Sequence, residues 1–217
     1  MRRAILLDVF GTLVEDDESA TVARDVAALA GVPAAEIERF WTARLWAMAD
    51  AAHGPGFRTL AELNAAGLAE TAEHFGVRVD ARDWGLGEPP LFPDALPFLA
   101  AVGVPVCLVS DADREPLNAV LELHGIRVEH VVTSEDARAY KPRPEPFEMA
   151  LELLGRSADE VLHVGDSPAA DLVGAAALGI ETVFVNRRGR VLTGSIRPTH
   201  TVSALTDLLP LTHFLSS

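Results

Sequence analysis

Asp8, Ser110, Lys141, Asp166 and Asp171 are the residues whose types could do chemistry together, although they are scattered through 217 residues. Two or three carboxylates brought close together repel one another unless a cation sits among them. A small all-oxygen set completed by a substrate phosphate suits Mg²⁺. A lysine and a hydroxyl nearby can hold the remaining phosphate oxygens. One carboxylate left to attack phosphorus would be a covalent nucleophile. Any single aspartate of the set reads first as a helix cap or turn former. It is the joint arrangement that points to a site.

The elements that must position these residues are short apolar runs. Ala4–Leu7, 105–109, 161–164 and 182–185 read as buried strands, and 128–132 as a weaker one. Helical spacing lies between most of them and ends at Gly125, Gly155 and Gly179, where glycine favours a C-cap. This alternation predicts a doubly wound α/β fold, a parallel sheet with helices on both faces. In such a sheet ligands bind beyond the carboxyl ends of the strands. Asp8 follows the first strand, Ser110 and Asp111 the second, and Gly165-Asp166-Ser167 the run at 161–164. Lys141 lies in the loop Ala139-Tyr140-Lys141-Pro142, ahead of a helix expected from about Pro144.

Residues 16–88 break the alternation. They carry only helical patterns, at about 21–30, 34–52, 60–75 and 81–84, punctuated by Gly31-Val32-Pro33 and His53-Gly54-Pro55-Gly56. A helical insertion is expected here, closing at the linker Gly87-Glu88-Pro89-Pro90. The expected organisation is a core of residues 1–15 and 89–217 with a helical unit at 16–88. Trp41 and Trp46 are assigned to the interior of that unit.

Composition narrows the function. Hydrophobic residues make up 49% and charged residues 23%, enough for a core without disulfides or structural metal. The single cysteine, Cys107, sits in VPVCLV and reads as a buried small hydrophobe. A net charge of −14, with no basic cluster longer than Arg187-Arg188-Gly189-Arg190, argues against a nucleic-acid binder. No apolar run reaches membrane-spanning length, and Asp8 interrupts the first one too early for a secretory signal. A cytoplasmic protein is expected, acting on a small anionic substrate as a monomer or homodimer.

The motifs resemble those of the haloacid dehalogenase-like hydrolase superfamily, in order along nearly the whole chain. They are Asp8-Val9-Phe10-Gly11-Thr12-Leu13, Ser110 closing LVS, Lys141 in YKPRPEPF, and Gly165-Asp166-Ser167-Pro168 with Asp171. The insertion resembles the family's helical cap. The resemblance implies that Asp8 is the nucleophile, that Thr12 orients it, that Ser110 hydrogen-bonds the transferred group and that Lys141 steadies Asp8. It also implies Mg²⁺ held by Asp8, Asp166 and the backbone carbonyl of Phe10, with Asp171 ligating it or supporting it from behind. The cap would close over the site and select the substrate.

Phe10 departs from the pattern. The family's phosphatases carry an aspartate there, which protonates the leaving group and then activates water; phenylalanine does neither. The family's 2-haloacid dehalogenases also lack that aspartate and have an aromatic residue. They need no metal, and they differ from this chain in the second motif (Ser110-Asp111-Ala112), in the fourth motif, and at the cap arginine, since Thr42 follows Trp41. The favoured expectation is a Mg²⁺-dependent phosphatase working through an aspartyl-phosphate. Its alternatives are a metal-free 2-haloacid dehalogenase and a catalytically reduced protein that retains the Mg²⁺ and anion site. A replacement proton donor is sought in the cap at His53 or Glu62. Arg44, Arg58 and His53 are candidates for contacting the substrate, although 53–58 reads first as a helix–helix turn. His163 is expected to be buried and neutral. Glu135 and Asp136 are expected either near the metal or in a solvated turn. Arg187, Arg188 and Arg190 either attract an anionic substrate or form a basic patch.

Overall fold

The computed structural model describes residues 4–16, 18–79 and 88–210. The strands are β1 (Ala4–Leu7), β2 (Val106–Ser110), β3 (His130–Thr133), β4 (Val161–Gly165), β5 (Glu181–Val185) and β6 (His200–Val202). All pair in parallel, in the order β3-β2-β1-β4-β5-β6. The order reverses beside β1, so the crevice of this sheet opens where β1 and β4 end. Leu7 is in register with Leu108 on one side and Val164 on the other, which sets Asp8 between the ends of β2 and β4.

Period-2 alternation divides the strand residues between two apolar layers. Ile5, Leu7, Leu108, Leu162, Val164, Val183 and Val185 pack on the layer containing Phe98 of α4 (Ala95–Ala101) and Leu117, Val120 and Leu121 of α5 (Arg114–Leu123). Ala4, Leu6, Cys107, Val109, Val132 and Val161 pack on Phe147 and Ala150 of α7 (Pro144–Leu154) and Ala175 of α8 (Val173–Ala177). Burial on both faces explains why the central strands read as continuous apolar runs. Cys107 is among the fully buried residues.

Among the described residues, three α-helices lie between β1 and α4: α1 (Glu18–Ala30), α2 (Ala34–Ala51) and α3 (Leu60–His74). Val22, Ala23, Val26, Ile37, Trp41 and Leu68 give them an apolar interior of their own. The chain leaves the sheet and returns to it side by side. Glu15 N donates to Pro90 O, Phe92 N donates to Leu13 O, and Val14 bridges Leu91 antiparallel. The helix expected at 81–84 lies outside the described residues.

Three features went beyond the sequence pattern. β6 is mostly exposed and polar and gives no apolar run. α4 is a seven-residue helix with Pro97 in its first turn, where proline costs no hydrogen bond. The segment expected to begin a helix near Asp171 opens instead as a π-helical turn at Pro168–Leu172. Such turns recur at functional sites, and here the turn carries Asp171 into the interior.

The helical unit is tied to the sheet by residues beside the motifs. Both carboxylate oxygens of Asp113 accept backbone N–H groups at the start of α3, from Leu60 at 2.7 Å and Ala61 at 2.9 Å. A carboxylate there pairs with free donors and with the positive end of the helix dipole. Tyr140 packs with Ala49, Ala52 and Leu63, stacks on Phe57 and donates to Arg58 O at 2.9 Å. The expected effect of Asp113→Ala is a loss of about 1–2 kcal/mol, which is about 2–8 °C in melting temperature for a chain of this size. A thermal scan that superimposes on the wild type would show that this tie adds nothing to stability.

Candidate active site

Asp8 continues β1, its N–H donating to Val164 O at 2.9 Å. The chain then turns sharply: Thr12, Leu13 and Val14 N–H groups all reach Val9 O. Gly11 takes φ +82°, and a Cβ there would lie 2.5 Å from Asp166 Oδ1. Only glycine admits both the turn and the close approach of Asp166. The turn brings Thr12 Oγ1 back to donate to Asp8 Oδ2 at 2.8 Å. Arg187 braces it from behind, donating to Thr12 O at 2.7 Å, pairing with Asp94 and lying over the Phe92 ring.

Lys141 joins the two halves of the site. Its Nζ donates to Asp8 Oδ1 at 2.8 Å, Asp171 Oδ1 at 2.7 Å and Val109 O at 3.1 Å. Asp171 also accepts from His163 Nε2 at 3.1 Å and from Ser167 N at 2.9 Å. It fits because residue 165 has no side chain: a Cβ on Gly165 would lie 2.3 Å from Asp171 Cγ. His163 Nδ1 is buried and has no partner, so the ring meets the acidic cluster through Nε2 alone. Burial alone would lower the Lys141 pKa, but Asp171, Asp8 and Asp111 raise it, and the ammonium stays charged. Burial would likewise raise Asp171, but Lys141 and His163 hold it well below the usual carboxylate range.

The remaining acids are poised differently. Burial, more than Lys141 offsets, pushes Asp8 upward. Burial with the charges of Asp8 and Asp171 raises Asp166 to about 7, despite Arg190. Arg190 Nη2 donates to Asp166 Oδ2 at 2.9 Å and also to its backbone carbonyl. Burial raises Asp111 to about 7 although its Oδ1 accepts Lys141 N–H at 2.9 Å.

A cavity of about 320 Å³ opens over these groups, between the sheet and the inserted helices. Asp8, Ser110, Asp111, Lys141, Asp166, Asp171 and Arg190 line its floor, and Phe10, Trp41, Thr42, Leu45, Trp46, Leu60, Asn64 and Asp16 its sides. Ser110 Oγ is buried at this floor with no protein partner, a donor left for a ligand.

Other candidates lie elsewhere. Arg44 pairs with Glu70 on the surface, and Arg58 donates to Glu62 O. His53 is an exposed residue preceding the 3₁₀ turn Gly54–Gly56. Glu62 is spent in the capping box with Thr59. None of the four lines the cavity. Asp136 caps the short helix α6 (Ser134–Ala137) and, with Glu135, binds Arg114, so neither faces the acidic cluster. Trp41 is buried as expected but also walls the cavity, and Trp46 is partly exposed there. Of the three arginines expected either to attract an anionic substrate or to form a basic patch, Arg190 lines the cavity and Arg187 braces the turn after β1.

A model of the family described as "Hydrolase: haloacid dehalogenase-like hydrolase" matches residues 2–179. The chain belongs to the haloacid dehalogenase-like hydrolases. Among relatives, pyrophosphatase PpaX of Bacillus mycoides (strain KBAB4) is 40% identical over 83 residues, covering 37% of this chain and 38% of that protein. (S)-2-haloacid dehalogenase 4A of Burkholderia cepacia is 33% identical over 126 residues, covering 55% of this chain and 54% of that protein. The matches thus span about half or less of these relatives' lengths. The L-2-haloacid dehalogenase RSc1362 shares the fold with a TM-score of 0.82 at 20% identity, over 97% of this chain and 98% of that one.

The donor set of this haloacid dehalogenase-like hydrolase fits a hard divalent cation. Oxygens of Asp8, Asp166 and Asp171 converge within 4.8 Å of one another, and both oxygens of Asp171 are already engaged by Lys141, His163 and Ser167. Asp171 is the most enclosed of the three, so a bound ion would be held by Asp8 and Asp166, with Asp171 supporting from behind.

Asp111 yields a pH dependence with a definite sign. Its folded pKa, about 7, lies above the ordinary 3.8, so the folded state binds more protons than the unfolded state between those values. Stability falls as pH rises through that window and levels off above it. Asp111→Asn keeps the acceptor for Lys141 N–H and removes the titration. In EDTA, wild-type stability should fall relative to Asp111→Asn between about pH 4 and pH 7 in denaturant melts. A constant gap would contradict the raised value.

Proposed function

We propose that this protein is a Mg²⁺-dependent phosphatase that hydrolyses a small phosphorylated metabolite through an aspartyl-phosphate on Asp8. The observation that carries this is Asp166, a third carboxylate beside Asp8 and Asp171 in a site with one buried lysine. In its ionised form its charge opposes both the carboxylate and the departing halide of a 2-haloacid, whereas a divalent ion on a phosphoryl group makes use of it.

The Asp8 carboxylate attacks phosphorus, held in orientation by Thr12 and Lys141. The bond from phosphorus to the leaving group breaks, and the leaving group takes the electron pair. Water then attacks the same phosphorus, the phosphorus–Asp8 oxygen bond breaks, a proton is lost to solvent, and phosphate departs. Ser110 Oγ donates to a phosphoryl oxygen throughout, filling its missing hydrogen bond. Mg²⁺ held by Asp8, Asp166 and the Phe10 carbonyl would neutralise charge on the phosphoryl oxygens.

Phe10 shapes the substrate. No carboxylic acid stands two residues after the nucleophile, and His53 and Glu62 are outside the cavity. With neither cap candidate in reach, the reading favours a leaving group that departs without help: an acyl phosphate, an aryl phosphate or a phosphoanhydride, the bond class in the name of the PpaX relative. The helical cap, taken as closing over the site, lends mainly Trp41, Leu45, Trp46 and Leu60, and among the described residues no cation. This favours a substrate with an apolar body beside its phosphoryl group.

Phe10 also sustains a second reading, 2-haloacid dehalogenation, in which Asp8 attacks carbon, halide leaves with the bonding pair, and water hydrolyses the ester. A panel of acyl, aryl and alkyl phosphates, pyrophosphate and 2-haloacids, assayed with Mg²⁺ and with EDTA, separates the two. Phosphate release requiring Mg²⁺ and abolished in Asp8→Asn, with a phosphoryl group trapped on Asp8 by acid quench, is the expected outcome. Halide release indifferent to EDTA would replace it with dehalogenation. Release of neither product would leave a binding protein. Phe10→Asp should raise alkyl phosphate turnover by about 10²-fold and aryl phosphate turnover much less. Equal gains on both would defeat the missing-acid account.

A further inference from the structure

We propose that Arg190 is a tethered counter-cation that occupies Asp166 until a divalent ion displaces it, so that guanidinium and metal compete for one carboxylate. The inference rests on the metal-dependent reading above. Arg190 lies in the segment after β5, and its placement is built. Asn186 clamps its backbone twice, donating from Nδ2 to Arg190 O at 2.9 Å and accepting Arg190 N–H at Oδ1 at 2.7 Å. Gly189, at φ +63°, turns the chain between them. The guanidinium lies 5.4 Å from the centroid of the Phe184 ring at the end of β5, a favourable position for a cation. From there it reaches both the carboxylate and the backbone carbonyl of Asp166.

A Cβ on Gly11 would meet both carboxylate oxygens of Asp166, at 2.5 Å and 2.8 Å, and Arg190 holds Oδ2 at 2.9 Å, so a divalent ion taking this carboxylate has to share it with the guanidinium or expel it. The site carries Asp8, Asp111, Asp166 and Asp171 against Lys141 and Arg190. A divalent cation at Asp166 brings two charges where Arg190 brought one, and it repels the guanidinium. Arg190 also lines the cavity, so once displaced it is left facing the substrate anion. The basic residue would then serve one carboxylate in the resting protein and the substrate in the loaded one.

Calorimetric titration with Mn²⁺, without substrate and at constant pH 8, tests this on wild type, Arg190→Gln, Arg190→Lys and Asp166→Asn. Thermal scans establish that each variant is folded. Arg190→Gln is expected to bind Mn²⁺ about 3–10-fold more tightly than wild type, the range suited to a half-exposed ion pair and its lost charge. Arg190→Lys, a point charge without the two-pronged contact, should fall between them. Asp166→Asn should bind much more weakly. Equal affinity in wild type and Arg190→Gln, with Asp166→Asn weakened, would overturn the competition and leave the metal site standing. Weaker binding in Arg190→Gln would make Arg190 a support for the ligand, which also overturns it. No Mn²⁺ binding by any of the four proteins would remove the metal-dependent reading and this inference together.

Discussion

The ammonium of Lys141, buried between Asp8 and Asp171, is the constraint on which the rest of the site depends. A buried pair stripped of one member leaves an uncompensated charge in a poorly polarisable interior. Here one cation serves two carboxylates, at 2.8 Å and 2.7 Å, so neither anion is settled without it. The surrounding fold completes what the lysine leaves. His163 and Ser167 N–H close off Asp171, Thr12 closes off the other oxygen of Asp8, and Val109 O takes a further ammonium proton. These partners come from the ends of β1, β2 and β4, and from the π-helical turn after β4. Only a sheet whose order reverses beside β1 brings those ends together.

The same segment also fastens the inserted helices. Tyr140, the neighbour of Lys141, is buried against Ala49, Ala52 and Leu63 and bonds to Arg58 O. Gly54 N donates to Arg138 O, and Arg138 Nε donates to Gly54 O. Asp113, three residues after Ser110, holds the start of α3. Residues that set the chemistry and residues that seat the helices over it are therefore adjacent in sequence. A displacement of α2 and α3 is felt first at Tyr140 and Asp113, one to three residues from Lys141 and Ser110.

The parts of the fold that were legible in the sequence are those whose physics is local. β1, β2, β4 and β5 are buried on both faces, and their continuous apolar runs say so. α7 ends at Gly155, which takes the left-handed φ of 60° that a helix terminus favours. β6 was illegible because an edge strand this short and exposed needs no apolar side chains. The motif aspartates, Ser110 and Lys141 could be placed at one sheet edge from topology alone. The cavity walls could not. Asn64 and Leu45 face the site only because α2 and α3 cross it at a particular angle, which long-range packing sets. Arg44 and Arg58 were plausible by composition, but surface partners nearer to hand hold them. Arg190 was left between two readings, substrate contact and basic patch, because a strand-end arginine looks alike whether it meets solvent or a carboxylate.

Phe10 and Asp166 point toward different chemistries, and charge balance relates them. Four carboxylates meet two cations on the cavity floor. The deficit falls on Asp111 and Asp166, both shifted to about 7. Two protons or one divalent ion would settle the same two charges. With protons, Asp166 is a neutral donor, and the site has the electrical character that attack on a haloacid carbon requires. With a divalent ion, Asp166 is a ligand, and the site can accept a phosphoryl group. Phenylalanine at position 10 is compatible with both, because it withholds a proton from a leaving group that needs none in either case. The two readings therefore differ less in their residues than in what balances Asp166. Arg190, which already contributes one positive charge to that carboxylate, sits at the point where they diverge.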